Sequence, residues 1–362
     1  MAQNTAQYSV LRLARTPRVG PVTYKNLVGR FGSASEALVA LPDLAGRAGG
    51  KAPKPPSRQS VEAELEQIDK ADCQLLVIGD ALYPPALAAL DDAPPVLTLR
   101  GSAELLKRPT VGMVGARNAS TIGRKLAGSL AKELGQQGVM TASGLARGID
   151  TSAHVGSLDT GTIAVVAGGI NRIYPKENEA LYWDIAERGS ILAEMAWDAQ
   201  PTAQLFPRRN RIVSGLSLGV IVVEAARKSG SLITARMAGE QGRHVFAVPG
   251  NPLDPRAAGA NHLIRQGATL IRNAEDVLED IAPMVSQVRG PETSFRPPPL
   301  SAEPDAQARE SILAALSATP VHADEVLRSV NLPADVFAAA VVELELVGKI
   351  ERHAGGRLAL TL

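Results

Sequence analysis

The stretch from Thr110 to His154, TVGMVGARNASTIGRKLAGSLAKELGQQGVMTASGLARGIDTSAH, constrains the fold more than any other part of the chain. Two short apolar runs, Thr110 to Val114 and Val139 to Thr141, flank a segment whose apolar residues Ile122, Leu126, Leu130 and Leu134 recur at helical spacing. Each run leads into a small-residue loop that carries an arginine. The pattern is strand, loop, helix, strand, loop, which is one βαβ unit of a parallel sheet. In such a sheet the loops at the strand C-termini gather at one edge, so Arg117 and Arg147 are expected to face one crevice beside helix N-termini that favour anions. A phosphate-bearing ligand is the first expectation.

The alternation continues beyond this unit. GTIAVVAGG, SILAEMAW, GVIVVEA and RHVFAVPGN read as strands, with helical segments between them. Their β-branched runs are apolar throughout, as strands covered on both faces require. The fold class is therefore α/β with a doubly wound parallel sheet, and CQLLVIGD and Val96 to Leu99 extend that sheet behind the stiff turns Tyr83-Pro84-Pro85 and Pro94-Pro95. Residues 1–58 form a helical module of helix-hairpin-helix or sterile-alpha (SAM) type, suited either to packing and interaction or to DNA contact, and end in the linker-like GGKAPKPPSR. Residues 59–288 hold the main domain. Residues 289–304, with five prolines, read as a tether. Residues 305–362 follow the winged-helix order of three helices and a hairpin. The third of these helices, ADVFAAAVVELELVGK, offers Asp335, Glu343 and Glu345 but hardly any cation. A base-reading helix carries Arg, Lys, Asn or Gln, so a protein-contact or regulatory role is expected instead.

Net charge is only +1, but its distribution is uneven. Between Gly101 and Arg272 there are 20 Lys and Arg against 13 Asp and Glu, so the centre is basic while the remaining segments sum to −6, an asymmetry that can steer a polyanion to one surface. No apolar run has transmembrane length, and MAQNTAQYSV lacks a charged segment followed by an apolar one, so a cytoplasmic location without membrane contact is expected. The single cysteine, Cys73, has no His partner nearby and reads as a small buried hydrophobe.

The strand-end loops carry the chemistry. VGMVGARN lacks the G-x-G-x-x-G spacing, and no acid ends the second strand to take a ribose hydroxyl, so a dinucleotide cofactor is not expected. Arg117 instead offers a bidentate fork to phosphate. In SGLARGIDTSAH, Ser143 and Gly144 suit a loop folded onto a ligand, Asp150 reads as a helix cap, and His154 as a hydrogen-bonded core residue rather than a base. FPRRNRIVSG places Arg208, Arg209, Asn210 and Arg211 at a helix start, where cations oppose the macrodipole unless an anion offsets them. In ARKSGSLITAR, Lys228, Ser229, Gly230 and Ser231 offer donors to a phosphate, whether free or strung on a polymer. Glu224 suits a general base or an arginine partner. Lys176 in YPKEN and Asn261 in GANHLI complete the set. So many cations on one edge exceed what a mononucleotide needs and suggest a tracked backbone with salt-sensitive affinity. Stacking aromatics are sparse, with Phe206 and Tyr174 the nearby candidates.

In order and spacing, GARNAS, SGLARGIDTSAH, YPKEN, FPRRNRIVSGLS, EAARKSGSLITAR and AVPGN with GANHLIRQGA resemble the DNA-processing protein A (DprA, or Smf) family over about Leu75 to Ile271. The resemblance implies an extended Rossmann-like domain that binds single-stranded DNA, forms dimers and hands the strand to the recombinase RecA in natural transformation. It carries DNA binding over to Arg117, and Lys176 and Arg208 to Arg211 occupy matching motif positions. It implies no catalytic residue, cofactor or metal. A homodimer contact is expected near Leu263 and Ile264. The competing class is a nucleotide phosphoribohydrolase on the same fold. That family's P-G-G-x-G-T-x-x-E loop has no counterpart at Pro249, where PGNP continues without the glutamate.

Overall fold

The structure is a computed structural model that describes residues 2–287, 303–353 and 355–361, so nearly all of the expected tether at 289–304 lies outside the described residues. Helices α1 (Ala2–Ala14), α2 (Pro21–Phe31) and α3 (Ala34–Arg47) form the N-terminal module, and α4 (Arg58–Lys70) leads out of it. Local chemistry sets their ends. Pro21 opens α2 with its φ already helical, Gly32 closes it at φ +79°, and the Ser33 hydroxyl caps α3 by accepting the Glu36 amide at 3.2 Å.

The central elements are β1 (Cys73–Val77), α5 (Pro85–Ala88), β2 (Val96–Gly101), β3 (Thr110–Gly115), α6 (Thr121–Gln136), β4 (Met140–Ser143), α7 (Ile149–Ser157) and β5 (Thr162–Val166). They continue with α8 (Glu179–Arg188), β6 (Ser190–Ala193), α9 (Leu205–Gly215), β7 (Gly219–Val223), α10 (Ser231–Glu240), β8 (His244–Ala247), α11 (Ala258–Arg265), β9 (Thr269–Leu270) and α12 (Ala274–Gln287). The strands form a nine-stranded sheet in the order β1-β2-β6-β5-β4-β3-β7-β8-β9. Pairing is parallel from β6 through β9, and β1 and β2 extend the sheet as antiparallel strands. The chain lays β4, β5 and β6 to one side of β3 and then returns to lay β7, β8 and β9 to the other. The boundary between β3 and β7 is therefore the topological switch point, where a ligand crevice is expected in folds of this kind.

Two apolar layers cover the sheet. On one face Val111, Met113, Ile221, Val223 and Phe246 meet Ala127, Leu130 and Leu134 of α6; on the other Val165, Val220 and Val222 meet Ile212 and Val213 of α9. The expected stripe on α6 is displaced at its start, because Ile122 is 80% exposed and Gly123 is buried instead. The cause is close approach: a β-carbon at Gly123 would meet the carboxylate of Glu224. No helix among the described residues is long and apolar enough to cross a membrane.

The C-terminal elements are α13 (Ala306–Ala314), β10 (Val321–His322), α14 (Ala323–Val330), α15 (Ala334–Val347), β11 (Ile350–His353) and β12 (Arg357–Leu360), with sheet order β10-β12-β11. They make the winged helix that the residue pattern implies. The chain divides into two compact units, Glu66–Thr293 and, separately, Met1–Leu65 together with Ser294–Leu362.

Candidate nucleic-acid interface

The loops that follow β3, β4 and β5 and the first turns of α9 enclose a cavity of about 220 Å³, lined among others by Arg117, Gly144, Arg147, Arg172, Tyr174, Phe206 and Arg209. Its floor is Arg209. This side chain is buried, its Nη1 donates to the Val165 carbonyl at 3.1 Å, and its Nε has no hydrogen-bond partner among the described residues. Burial lowers the guanidinium pKa, the carboxylate of Asp150 opposes that shift, and the charge of Arg117 adds to it. Arg209 fits only because residue 144 is glycine, since a β-carbon there would coincide with the guanidinium. A cation held in this state, poorly hydrated and facing a second cation, is stabilised by an anion delivered to the cavity.

The loop from Ser143 to Gly148 that frames Arg209 is held from two sides. The buried Asp150 carboxylate accepts the amides of Gly144 at 3.1 Å and Ala146 at 3.3 Å. Burial nevertheless raises the Asp150 pKa, against the pull of Arg209 and these amides. Asn178, from the YPKEN loop, donates its Nδ2 to the Leu145 carbonyl at 2.8 Å. Leu145 sits at φ +56°, a conformation unusual for its residue type that these surrounding bonds impose. Asp150 is thus a loop clamp rather than the expected helix cap; the N-cap position of α7 is Gly148, at φ +80°.

An aromatic platform stands beside the floor. The Arg117 guanidinium lies over the Phe206 ring at 5.4 Å and that of Arg209 at 6.0 Å, while Tyr174 meets Phe206 at 5.8 Å between centroids. Tyr174 is 47% exposed, so part of this platform remains open to a ligand. Arg147 pairs with Glu177 at 3.7 Å across the rim, both side chains more than half exposed, so that pair opposes a ligand weakly. The sequence pattern named Phe206 and Tyr174 only as candidates and passed over Arg172 and Asn178, although both stand in the same NRIYPKEN run.

Other expected residues have different roles. Ser143 is buried and donates its hydroxyl to the Met113 carbonyl at 2.6 Å, tying β4 to β3. Arg211 is buried against Glu194 at 2.6 Å and Asp92 at 3.5 Å. Arg208 is half exposed, 3.7 Å from Glu194, and Asn210 is half-buried on the same helix. Lys176 is exposed on the 3-10 turn Lys176–Asn178 and does not line this cavity. Asn261 spends both ends of its amide on the backbone of Gly250. His154 is buried with Nδ1 2.8 Å from the Thr162 hydroxyl, in keeping with its reading as a core residue.

The loop after β7 does not join the first cavity. Lys228, Ser229 and Gly230 line a second one of about 770 Å³, together with Arg236, Arg243, His262 and Leu263, and the two cavities share no lining residue. Ser231 is engaged with the Ser229 hydroxyl at 2.7 Å, and Leu263 and Ile264 pack partly on the core. The strand-end residues thus line two separate cavities, one on either side of the switch point. There Glu224, at φ +53°, accepts the Ser120 amide at 2.8 Å and the Ser120 hydroxyl. A resident carboxylate thereby occupies the N-terminus of α6 that a phosphate was expected to use, and Glu224 is spent on Ser120 rather than standing free as a base.

Comparison with known proteins gives consistent matches. The family model for DNA recombination-mediator protein A matches residues 74–282, a DprA-like N-terminal HHH domain matches 4–66, and a DprA winged helix domain matches 296–356. Protein Smf of Escherichia coli is 37% identical over 307 residues, covering 84% of this chain and 82% of its own. The structure of DNA processing protein A from Streptococcus pneumoniae is 36% identical with a TM-score of 0.64, covering 75% of this chain and 97% of that one. That of DNA processing protein A from Helicobacter pylori, solved for its single-stranded DNA binding mode, is 31% identical with a TM-score of 0.54 and covers 59% and 96%.

Proposed function

The chain belongs to the DNA recombination-mediator protein A family, and on that premise we propose that it binds single-stranded DNA at the cavity floored by Arg209. The observation that carries the reading is the stack of Arg117 on Phe206 above a buried arginine. It offers a phosphate two guanidinium groups and a base an aromatic neighbour in one place. Arg147, Arg172, Lys176 and Arg208, exposed around it, continue the cationic track along which a strand runs. The single-stranded DNA binding of the Helicobacter relative supports the same assignment.

The protein acts, on this reading, as a cytoplasmic homodimer that hands the bound strand to RecA during natural transformation, without chemistry of its own. The engagement of the carboxylates at these strand ends supports a binding role. Asp150 is spent on the amides of its own loop, Glu224 on Ser120, and Glu177 on Arg147. Titration of a fluorescent oligonucleotide against the protein and its Arg117→Glu variant tests the site, and unchanged affinity would refute it. Release of free base from nucleoside monophosphates at catalytic rates would instead favour a phosphoribohydrolase. Failure to speed RecA assembly on a single strand would remove the hand-over while leaving the binding site intact.

A further inference from the structure

In a winged-helix module the third helix is the element that ordinarily enters a DNA groove. Here that helix, α15, is buried from Ala339 to Leu346 and exposed only at its first turn. Phe337, Ala340, Val341 and Leu344 fill the module's own core, and the helix also packs on α2 and α3 of the N-terminal module. Val342 and Leu346, outside that core, are buried as well.

The polar contacts across this surface are specific. Glu343 is fully buried and ion-pairs with Arg309 of α13 at 2.7 Å and with Arg30 of α2 at 3.5 Å. Glu345 accepts the Thr23 hydroxyl of α2 at 2.8 Å. Lys349 donates to the Ala48 carbonyl at 2.9 Å, and a side chain at Gly50 would run into Val347. Within Ala334–Val347 the ionisable residues are Asp335, Glu343 and Glu345, and there is no Lys, Arg, Asn or Gln. Phosphates brought to such a helix meet charge of their own sign. Each carboxylate spends one oxygen inside its own module, Glu343 on Arg309 and Glu345 on Arg352 at 2.9 Å, and offers the other to the covering surface, which must supply a cation and a hydroxyl donor at fixed positions. The N-terminal module supplies both, in Arg30 and Thr23.

We propose that α15 is a latch whose partner is the chain's own N-terminal helical module, so that the winged helix fastens the two ends of the chain together instead of reading duplex DNA. The contact joins segments more than 300 residues apart in sequence and makes the connection through the central unit a closed loop.

The full-length protein with a protease site between Gln287 and Glu303 tests this. After cutting, the C-terminal fragment is expected to co-elute with the remainder in gel filtration, in a species of one-protomer mass or in a dimer whose subunits each retain their own fragment. Arg30→Glu, which leaves the winged-helix sequence untouched, should weaken retention on the order of a hundredfold or more. Thr23→Ala, which removes one hydroxyl, should weaken it roughly tenfold and serves if Arg30→Glu misfolds. Release of the fragment from the unmutated cut protein would overturn the proposal, as would retention indifferent to both substitutions. Exchange of the fragment between differently tagged copies before cutting would make a second copy the partner and overturn the assignment in cis. Displacement of the N-terminal module by duplex DNA would return α15 to groove reading.

Discussion

Arg209 occupies the space that a side chain on Gly144 would fill, so the arginine at the cavity floor and the glycine at the end of β4 are one device. Gly144→Ala is expected to push the guanidinium off the Val165 carbonyl and out of register with Arg117. Overpacking of this sort costs about 1–3 kcal/mol of stability. Binding of single-stranded DNA should fall by roughly tenfold because a charge-assisted contact is misplaced. Anisotropy titration with a short oligonucleotide checks this, and wild-type affinity in a folded Gly144→Ala protein would contradict the role given to Arg209.

Arg117 and Phe206 act together, since the guanidinium rests on the ring. Arg117→Glu should weaken strand binding by about 1–3 kcal/mol, and Phe206→Ala by about the same if a base stacks beside it. The double variant should lose less than the sum, because Phe206 also orients Arg117. With several phosphates engaged, log affinity should fall against log salt with a slope of about −0.7 per contact. Arg117→Glu should make that slope shallower. A salt response of the variant identical to that of the wild type would place the phosphate contacts elsewhere.

His154 gives a pH dependence whose direction is fixed. Burial, helped by the charge of Arg209, pushes its pKa down to about 3, whereas the unfolded chain has it near the ordinary ~6.5. Between those values the unfolded state takes up a proton that the folded state refuses, so the stability from keeping this ring neutral is complete above ~6.5 and is lost as pH falls towards 3. The amount is on the order of several kcal/mol. His154→Gln retains a polar group for the Thr162 hydroxyl and cannot titrate. Its melting temperature should fall less than that of the wild type between pH 7 and pH 4, and parallel curves would show that the acid sensitivity comes from other groups.

The architecture was legible because strand and helix periods are written into the chain, and the parallel strands are apolar end to end. The roles of single polar residues were harder to read, because a ligand donor and an internal tie use the same side chains. Ser143 and Asn261 look like phosphate donors and are spent on the Met113 and Gly250 backbones. Arg211 follows Arg209 by two residues, which on a helix turns it by about 200°, so one arginine floors the cavity while the other is buried against Glu194. Nothing in the local sequence of Glu224 shows that it closes the switch point. That follows from β3 and β7 being neighbours, which the strand order creates. The acidic character of α15 was legible, and its partner was not, because that partner is encoded at the other end of the chain.

The second cavity bears on assembly. Leu263 lines it from α11 and packs partly on the core, while His262 lines it from an exposed position. If two copies meet there, a carboxylate at either position must be desolvated against the partner or must hold the partner away. Leu263→Glu should halve the mass measured by sedimentation equilibrium, and it should also lower stability by about 1–3 kcal/mol through its core contacts. His262→Glu separates the two effects, because an exposed side chain is changed at little cost to folding. It should halve the mass while leaving the melting temperature within about a degree or two of the wild type. A full dimer mass for both variants would move the interface away from α11.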